Sequence, residues 1–304
     1  MFRHRPSALA NHLRALHPSQ GVRGADDVPP IRAVWSRHRI ESHQLAEFLA
    51  LTGLRADHHV PMIYPHVLSF PLQMVVLTHP RFPVPIWKVL QIRNQLFQHR
   101  AIATDAVLDM DTVLADQRIV SKGVEFDLHT EVSTDRELVW ESTTTFYVRG
   151  QFGPASAPPA SVRLPSLGGM LAARWQTTDA AGWRFAALTG DYNGIHYWSW
   201  YARLMGFRRA FLHPQLVLAQ CLSHLDLSRG SERERLDVWL RGPVYLRTAV
   251  QLFVSATARD TDFHLLPDDE HRPAVLGRWR SGASLSRLTD APASQACAVR
   301  DDKA

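Results

Sequence analysis

The sequence predicts an α+β fold in which two antiparallel sheets each wrap around a central helix. Three features lead there: a short internal repeat, an apolar helix-forming run in each half, and strand-like alternation after each run. Phe48-Leu49-Ala50-Leu51-Thr52-Gly53 matches Phe185-Ala186-Ala187-Leu188-Thr189-Gly190 at five of six positions. Each stretch follows a segment containing a tryptophan, Trp35 in the first half and Trp175 in the second.

The 304 residues are 45% hydrophobic and 21% charged, the composition of a globular chain of about two domains. Residues 1–30 hold four Arg and three His without a sustained period, and read as a loose, flexible arm. Residues 31–150 form the first unit, a degenerate copy. In it Phe70-Pro71 opens the apolar run 72–77, and proline suits a first helical position because its missing N–H would be unpaired there. Val124, Phe126 and Leu128 alternate with Glu125, Asp127 and His129, and residues 141–148 are β-branched and aromatic, so both are strands. Pro154, Pro158, Pro159 and Pro165 mark residues 151–165 as an extended linker.

Residues 166–280 form the second unit. His213-Pro214 opens its apolar run at 216–222, and an apolar helix of this kind is a buried one. Leu236, Val238 and Leu240 alternate with polar neighbours, and 250–257 supplies a further strand. Residues 281–304 are a polar, flexible tail. With Pro71 and Pro214 taken as equivalent, the stretch from Gly53 to Pro71 is six positions shorter than that from Gly190 to Pro214. The first copy is thus shortened where the second is richest in polar chemistry. Half-buried alternation leaves one face of each sheet covered, so a sheet around a helix is the economical arrangement.

No apolar run of about 18 residues exists, which excludes a membrane span, and no apolar signal core follows the basic N-terminus. Cys221 and Cys297 are too few for a disulfide framework or zinc site and fit a reducing cytoplasm. The net charge of +5 comes from singly scattered residues, which argues against nucleic-acid binding. Serine-hydrolase, P-loop and dinucleotide motifs are absent from the sequence.

The chemistry concentrates after Gly190. Asp191, Asn193 and His196 lie within six residues on an irregular segment, where a carboxylate and an imidazole can converge for general acid–base work. Taken alone, the same triplet also reads as an Asx turn followed by a helix cap. Tyr192, Tyr197, Trp198, Trp200 and Tyr201 crowd the segment, either as a pocket wall or, for the tryptophans, as core packing. His58 and His59 with Asp57 lack ligand spacing, and His59 reads as the repeat counterpart of His196. Asp268-Asp269-Glu270-His271 reads as a solvated turn and Cys221 as an apolar filler.

Phe185, Ala186, Thr189, Gly190, Asp191, Asn193, His196, Ala202, Phe207 and His213 fall in one register along this stretch. That pattern resembles the (R)-specific enoyl-CoA hydratase, or MaoC-like dehydratase, family. The resemblance implies a double hot-dog fold whose first copy has lost the catalytic loop, with Leu54 standing where Asp191 would be. It implies that Asp191 and His196 activate water for addition to a trans-2-enoyl thioester, or remove it from an (R)-3-hydroxyacyl thioester, with Asn193 positioning them. No cofactor and no metal is implied. The family binds the thioester oxygen with a glycine amide after the histidine, but Pro214 stands there and has no N–H. Gln215 is therefore the oxyanion candidate. Gly194 likewise replaces the family's usual proline. Arg208 and Arg209 are candidates to bind the phosphates of coenzyme A. The expected partner is an acyl-CoA or acyl-carrier-protein thioester; two fused units already satisfy the pairing that single-unit members obtain by dimerising, which leaves the assembly open between monomer and homodimer. A non-catalytic acyl-thioester-binding or partner-subunit protein, and a thioesterase on the same fold, are the alternatives.

Overall fold

The computed structural model describes residues 1–22, 24, 28–156, 164–165, 167–225, 227, 233–257, 260–285 and 287–288. Helix α1 (Ala8–Ala15) precedes strand β1 (Arg32–Arg39), helices α2 (Ser42–Thr52) and α3 (Tyr64–Leu77), and strands β2 (Leu90–Gln98), β3 (Val107–Val120), β4 (Gly123–Thr134) and β5 (Glu137–Arg149). The second half follows the same plan: strand β6 (Met170–Gln176), helices α4 (Ala181–Thr189), α5 (Ser199–Leu204) and α6 (Pro214–Ser223), then β7 (Glu234–Leu240), β8 (Ala249–Ala256), β9 (Asp260–Pro267) and β10 (Val275–Ser281).

The ten strands make one antiparallel sheet, in the order β1-β3-β4-β5-β2-β7-β10-β9-β8-β6. The halves meet where β2 pairs with β7, with Leu96 opposite Leu236. Each half therefore contributes five strands and wraps them around its own apolar helix. Helix α3 is buried along nearly its whole length, and α6 buries Leu216, Val217, Leu218, Ala219, Cys221 and Leu222. The inward row of β4 is Val124, Phe126, Leu128, Thr130 and Val132, a period of two that buries every apolar side chain in the core.

The repeat is visible in hydrogen bonds as well as in sequence. Helices α2 and α4 end on Gly53 and Gly190 at φ 76° and 77°, the left-handed conformation that glycine adopts without strain. Thr52 Oγ1 donates to Phe48 O and accepts from Leu54 N–H, while Thr189 Oγ1 donates to Phe185 O and accepts from Asp191 N–H. Leu54 and Asp191 are thus equivalent.

Four expectations need correction. Pro71 lies inside α3 rather than at its start, and the helix opens at Tyr64-Pro65. Pro65, which sits where a helix tolerates proline, is therefore the counterpart of Pro214. Measured from Gly53 to Pro65 and from Gly190 to Pro214, the first copy is shorter by twelve positions rather than six. His59 is not the counterpart of His196. His59 bridges Ala103 as Phe211 bridges Tyr245, and Val60 N–H donates to Ile102 O as Leu212 N–H does to Val244 O. Finally, the N-terminal arm is not loose along its length, since residues 8–15 form α1, N-capped by Ser7. Leu9, Leu13 and Leu16 recur at helical spacing there, but all three are exposed, and the residue that α1 buries is the polar Asn11. Residues 157–163 of the expected linker at 151–165, and most of the expected tail at 281–304, lie outside the described residues.

Candidate active site

The glycine end of α4 releases the chain into an irregular segment that a short 3₁₀ turn, Gly194–His196, folds back on itself. Two Asx bonds shape it: Asn193 N–H donates to Asp191 Oδ1 at 3.2 Å, and Ile195 N–H to Asn193 Oδ1 at 3.3 Å. The turn reading and the catalytic reading of Asp191 and Asn193 are therefore compatible, the turn being what aims the carboxylate. Gly194 leaves no room for a side chain, since a Cβ there would meet Tyr201 Cδ1 at 2.9 Å and Trp198 Cε3 at 3.0 Å.

His196 Nε2 stands 3.6 Å from Asp191 Oδ2. That is too long for a direct hydrogen bond and short enough for both atoms to touch one water. His196 Nδ1 lies 2.9 Å from Phe211 O, and a carbonyl only accepts, so Nδ1 carries the hydrogen and Nε2 faces the carboxylate. His213 Nε2 lies 3.0 Å from Asp191 O and donates to it, as does the Tyr197 hydroxyl at 3.1 Å. The His196 and His213 rings stack with centroids 3.8 Å apart. His213 was legible only as a motif position; its contact with the Asp191 backbone, and that of Tyr197, had no signal in the sequence.

Burial alone would raise the Asp191 carboxyl, but His196, His213 and the Asn193 amide outweigh it and hold it well below the usual carboxylate range. Burial, reinforced by His196, pushes the His213 imidazole down to about 3. One side of the pair is therefore anionic and the stacked ring behind it neutral at ordinary pH. Asp191, His196 and His213 each offer a ligand atom within 4.8 Å of the others. Ring nitrogens bind a metal in the ring plane, however, and two rings stacked at an interplanar angle of 23° do not aim their lone pairs at one point. The geometry suits a water better than an ion.

The pair opens on a cavity of about 670 Å³ built from both halves. The second half supplies Asp191, Asn193, His196, Phe211, Pro214 and Gln215, and the first supplies Phe70, Met74 and Leu77 from α3, Leu90 and Gln91 from the start of β2, and Trp87 just before it. Helix α1 adds Asn11, His12, Ala15 and Leu16. Pro214 is the first residue of α6, so the free amides of the helix start begin at Gln215. The Gln215 side chain is buried and donates to Gln91 Oε1 at 3.0 Å, across the junction of the halves.

Other candidate residues lie elsewhere. Arg208 pairs with Asp269 and Glu270, Arg209 with Asp269, and both guanidinium groups sit over the Tyr245 ring. Neither lines the cavity, whereas Arg241 does. Trp198 lines it at 47% exposure and Trp200 is 65% exposed, so the tryptophans do not pack in the core. Cys221 is fully buried among apolar residues, with its thiol pushed up by burial.

No family model matches the chain. It is 30% identical over 255 residues to 3-hydroxyacyl-thioester dehydratase X of Mycobacterium tuberculosis, covering 82% of this chain and 89% of that protein. The crystal structure of HtdX from the same organism superposes with a TM-score of 0.72 at 26% identity, over 83% of this chain and all of the other. A MaoC-like dehydratase from Phytophthora capsici, 16% identical, shares the fold with a TM-score of 0.70 over 86% of this chain and 98% of its own. With the hydratase motif in place on its second half and this relative spanning most of its length, the chain belongs to the MaoC-like dehydratase family and has the double hot-dog fold.

Proposed function

We propose that this protein is a hydro-lyase that interconverts trans-2-enoyl and (R)-3-hydroxyacyl thioesters by adding or removing water. The observation that carries the reading is the Asp191–His196 pair, held 3.6 Å apart at the wall of a mainly apolar cavity. In hydration, a water between Asp191 Oδ2 and His196 Nε2 loses a proton to the pair as its oxygen attacks the β-carbon. The electron pair moves to the thioester oxygen, and the pair returns a proton to the α-carbon. Dehydration runs the same steps backwards. Asp191 keeps its charge because His196, His213 and the Asn193 amide stabilise it, and His196 exchanges its proton at Nε2 because Nδ1 is committed to Phe211 O.

The developing enolate oxygen needs a donor, and the start of α6 is suited to it, because its first amides lack helical partners and the dipole is positive there. Pro214 removes one of them, so the Gln215 amide takes that role. Asn193 acts as a positioning residue through its two loop bonds. The acyl chain fits the apolar wall of Phe70, Met74 and Leu77, on the helix of the half without a catalytic loop. The carrier is coenzyme A or an acyl carrier protein. The site is complete within one chain, so a homodimer would add nothing to it.

The test is loss of enoyl-thioester absorbance with short and medium trans-2-enoyl-CoA. Turnover that disappears in Asp191→Asn supports the assignment. Binding without turnover on either CoA ester or the matching carrier-protein ester would turn the reading to an acyl-thioester-binding protein.

A further inference from the structure

Residues 1–16 touch both halves, running from strand β1 past helix α4 to helix α3. Phe2 N–H donates to Val34 O at 2.7 Å and Ser36 N–H to Phe2 O at 3.0 Å, so the chain start is tied to the outermost strand of the sheet. Arg5 then reaches α4. Its Nη1 donates to Ala187 O at 2.7 Å and its Nη2 to Leu188 O at 2.6 Å. Both carbonyls belong to the last turn of α4, where the helix has no amides left to bind them and its dipole is negative. A guanidinium fork supplies two aligned donors and a full positive charge to that end.

Gly190 N–H takes the remaining Ala186 carbonyl, and Asp191 follows directly. Ala8 and Arg5 close on this glycine: a Cβ there would lie 3.7 Å from Ala8 Cβ and 3.8 Å from Arg5 Nη2. Helix α1 continues the strap and turns Asn11, with 2% exposure, into the cavity wall. Strap, helix end and catalytic carboxylate therefore form one connected run of contacts. The segment beyond α4 is irregular and its Asx bonds act within the loop, so they cannot set where the loop as a whole sits. Its anchors are His213 at the Asp191 carbonyl, Phe211, whose carbonyl accepts from His196 Nδ1 and whose N–H donates to Ile195 O, and, on the other side, the end of α4.

We propose that Arg5 is a positioning residue for the reaction, holding the C-terminal turn of α4 so that the Asp191 carboxylate stays in register with His196. The proposal rests on the functional reading above. It is tested in the full chain with Arg5→Ala and Arg5→Lys, read by kinetics and by hydrogen exchange of amides 190–196. Arg5→Ala lowers kcat about tenfold with KM within about twofold, the size expected for losing charge-assisted hydrogen bonds. Amides 190–196 exchange faster while those of α3 do not. Arg5→Lys recovers part of the loss, and added guanidinium ion recovers part of it in Arg5→Ala.

Wild-type kcat and unchanged loop exchange in Arg5→Ala would overturn the proposal. So would faster exchange throughout the protein, including α3, because that is loss of stability and not of position. Should Arg5→Ala fail to fold, Arg5→Lys carries the same two readouts. If the unmodified enzyme turns over no thioester, the functional reading fails by itself and the exchange at 190–196 decides the positioning claim alone.

Discussion

The two halves end their first helix identically and then diverge. After Gly53 the chain passes directly from Leu54 to His58, whereas after Gly190 it makes the long excursion from Asp191 to Ala210, the equivalent of His58. Asp191 stands where the first half has Leu54, the extra length beyond it makes room for Asn193 and His196, and the shared helix end shows that the scaffold needs none of that length. Freed of that loop, the first half turns its central helix to another use, offering Phe70, Met74 and Leu77 to the cavity of its neighbour. On the proposed function, one copy carries the acid–base pair and the other shapes the space beside it. This division is open to each half only because β2 and β7 join them into one sheet.

Moving the carboxylate from the second half to the first should fail. Asp191→Asn should lower kcat by roughly 10²–10⁴-fold, the usual weight of acid–base catalysis, with little change in thermal stability. In that background Leu54→Asp should restore nothing in the same absorbance assay, since the first half has no counterpart of His196 to meet the new carboxylate. Any recovered turnover would mean that the halves are less divided than their loops.

Pro214→Gly sharpens the comparison at the helix starts. It returns an amide N–H to the first position of α6, and kcat should rise by about tenfold or more, because one oxyanion donor is commonly worth about 10²–10³ and Gln215 already covers part of it. The greater freedom of the unfolded glycine chain should cost about 0.4–1 kcal/mol, seen as a slightly lower Tm. Pro65→Gly, at the equivalent place in the first half, should show the stability loss alone. A fall in kcat for Pro214→Gly would place the oxyanion donor elsewhere.

A smaller effect concerns pH. His66 follows Pro65 as Gln215 follows Pro214, and it is wholly buried with neither ring nitrogen hydrogen-bonded. Burial pushes it down to about 4. Its unfolded value is about 6.5, so the unfolded chain takes up the proton first as pH falls. Stability is full above that value and is lost on the way down to about 4, at up to about 1.4 kcal/mol per pH unit. His213 adds the same trend, down to about 3. The Tm difference between pH 7 and pH 5 should shrink in His66→Phe, and an unchanged difference would assign the acid sensitivity elsewhere. Smallest of all should be Arg208→Ala, with less than about twofold change in KM, because this exposed side chain is paired with Asp269 and Glu270 rather than with the cavity.

The sequence by itself determined the α+β class, the repeated helix end and the gathering of Asp191, Asn193 and His196 on one irregular segment. These are local properties: a glycine stop, a period of two, and three polar residues within six positions are set by neighbours along the chain. Which proline opens the first central helix was not local. Pro71 has the longer apolar run after it, but α3 begins at Pro65, because burial from all sides repays the helical hydrogen bond that Pro71 lacks. The tertiary structure alone also decided that the apolar wall comes from the opposite half, that Arg208 and Arg209 pair with Asp269 and Glu270 outside the cavity lining, and that Arg5 reaches helix α4. Each of these depends on surfaces brought together from distant parts of the chain. Their energies belong to packing and desolvation, which no window of sequence contains.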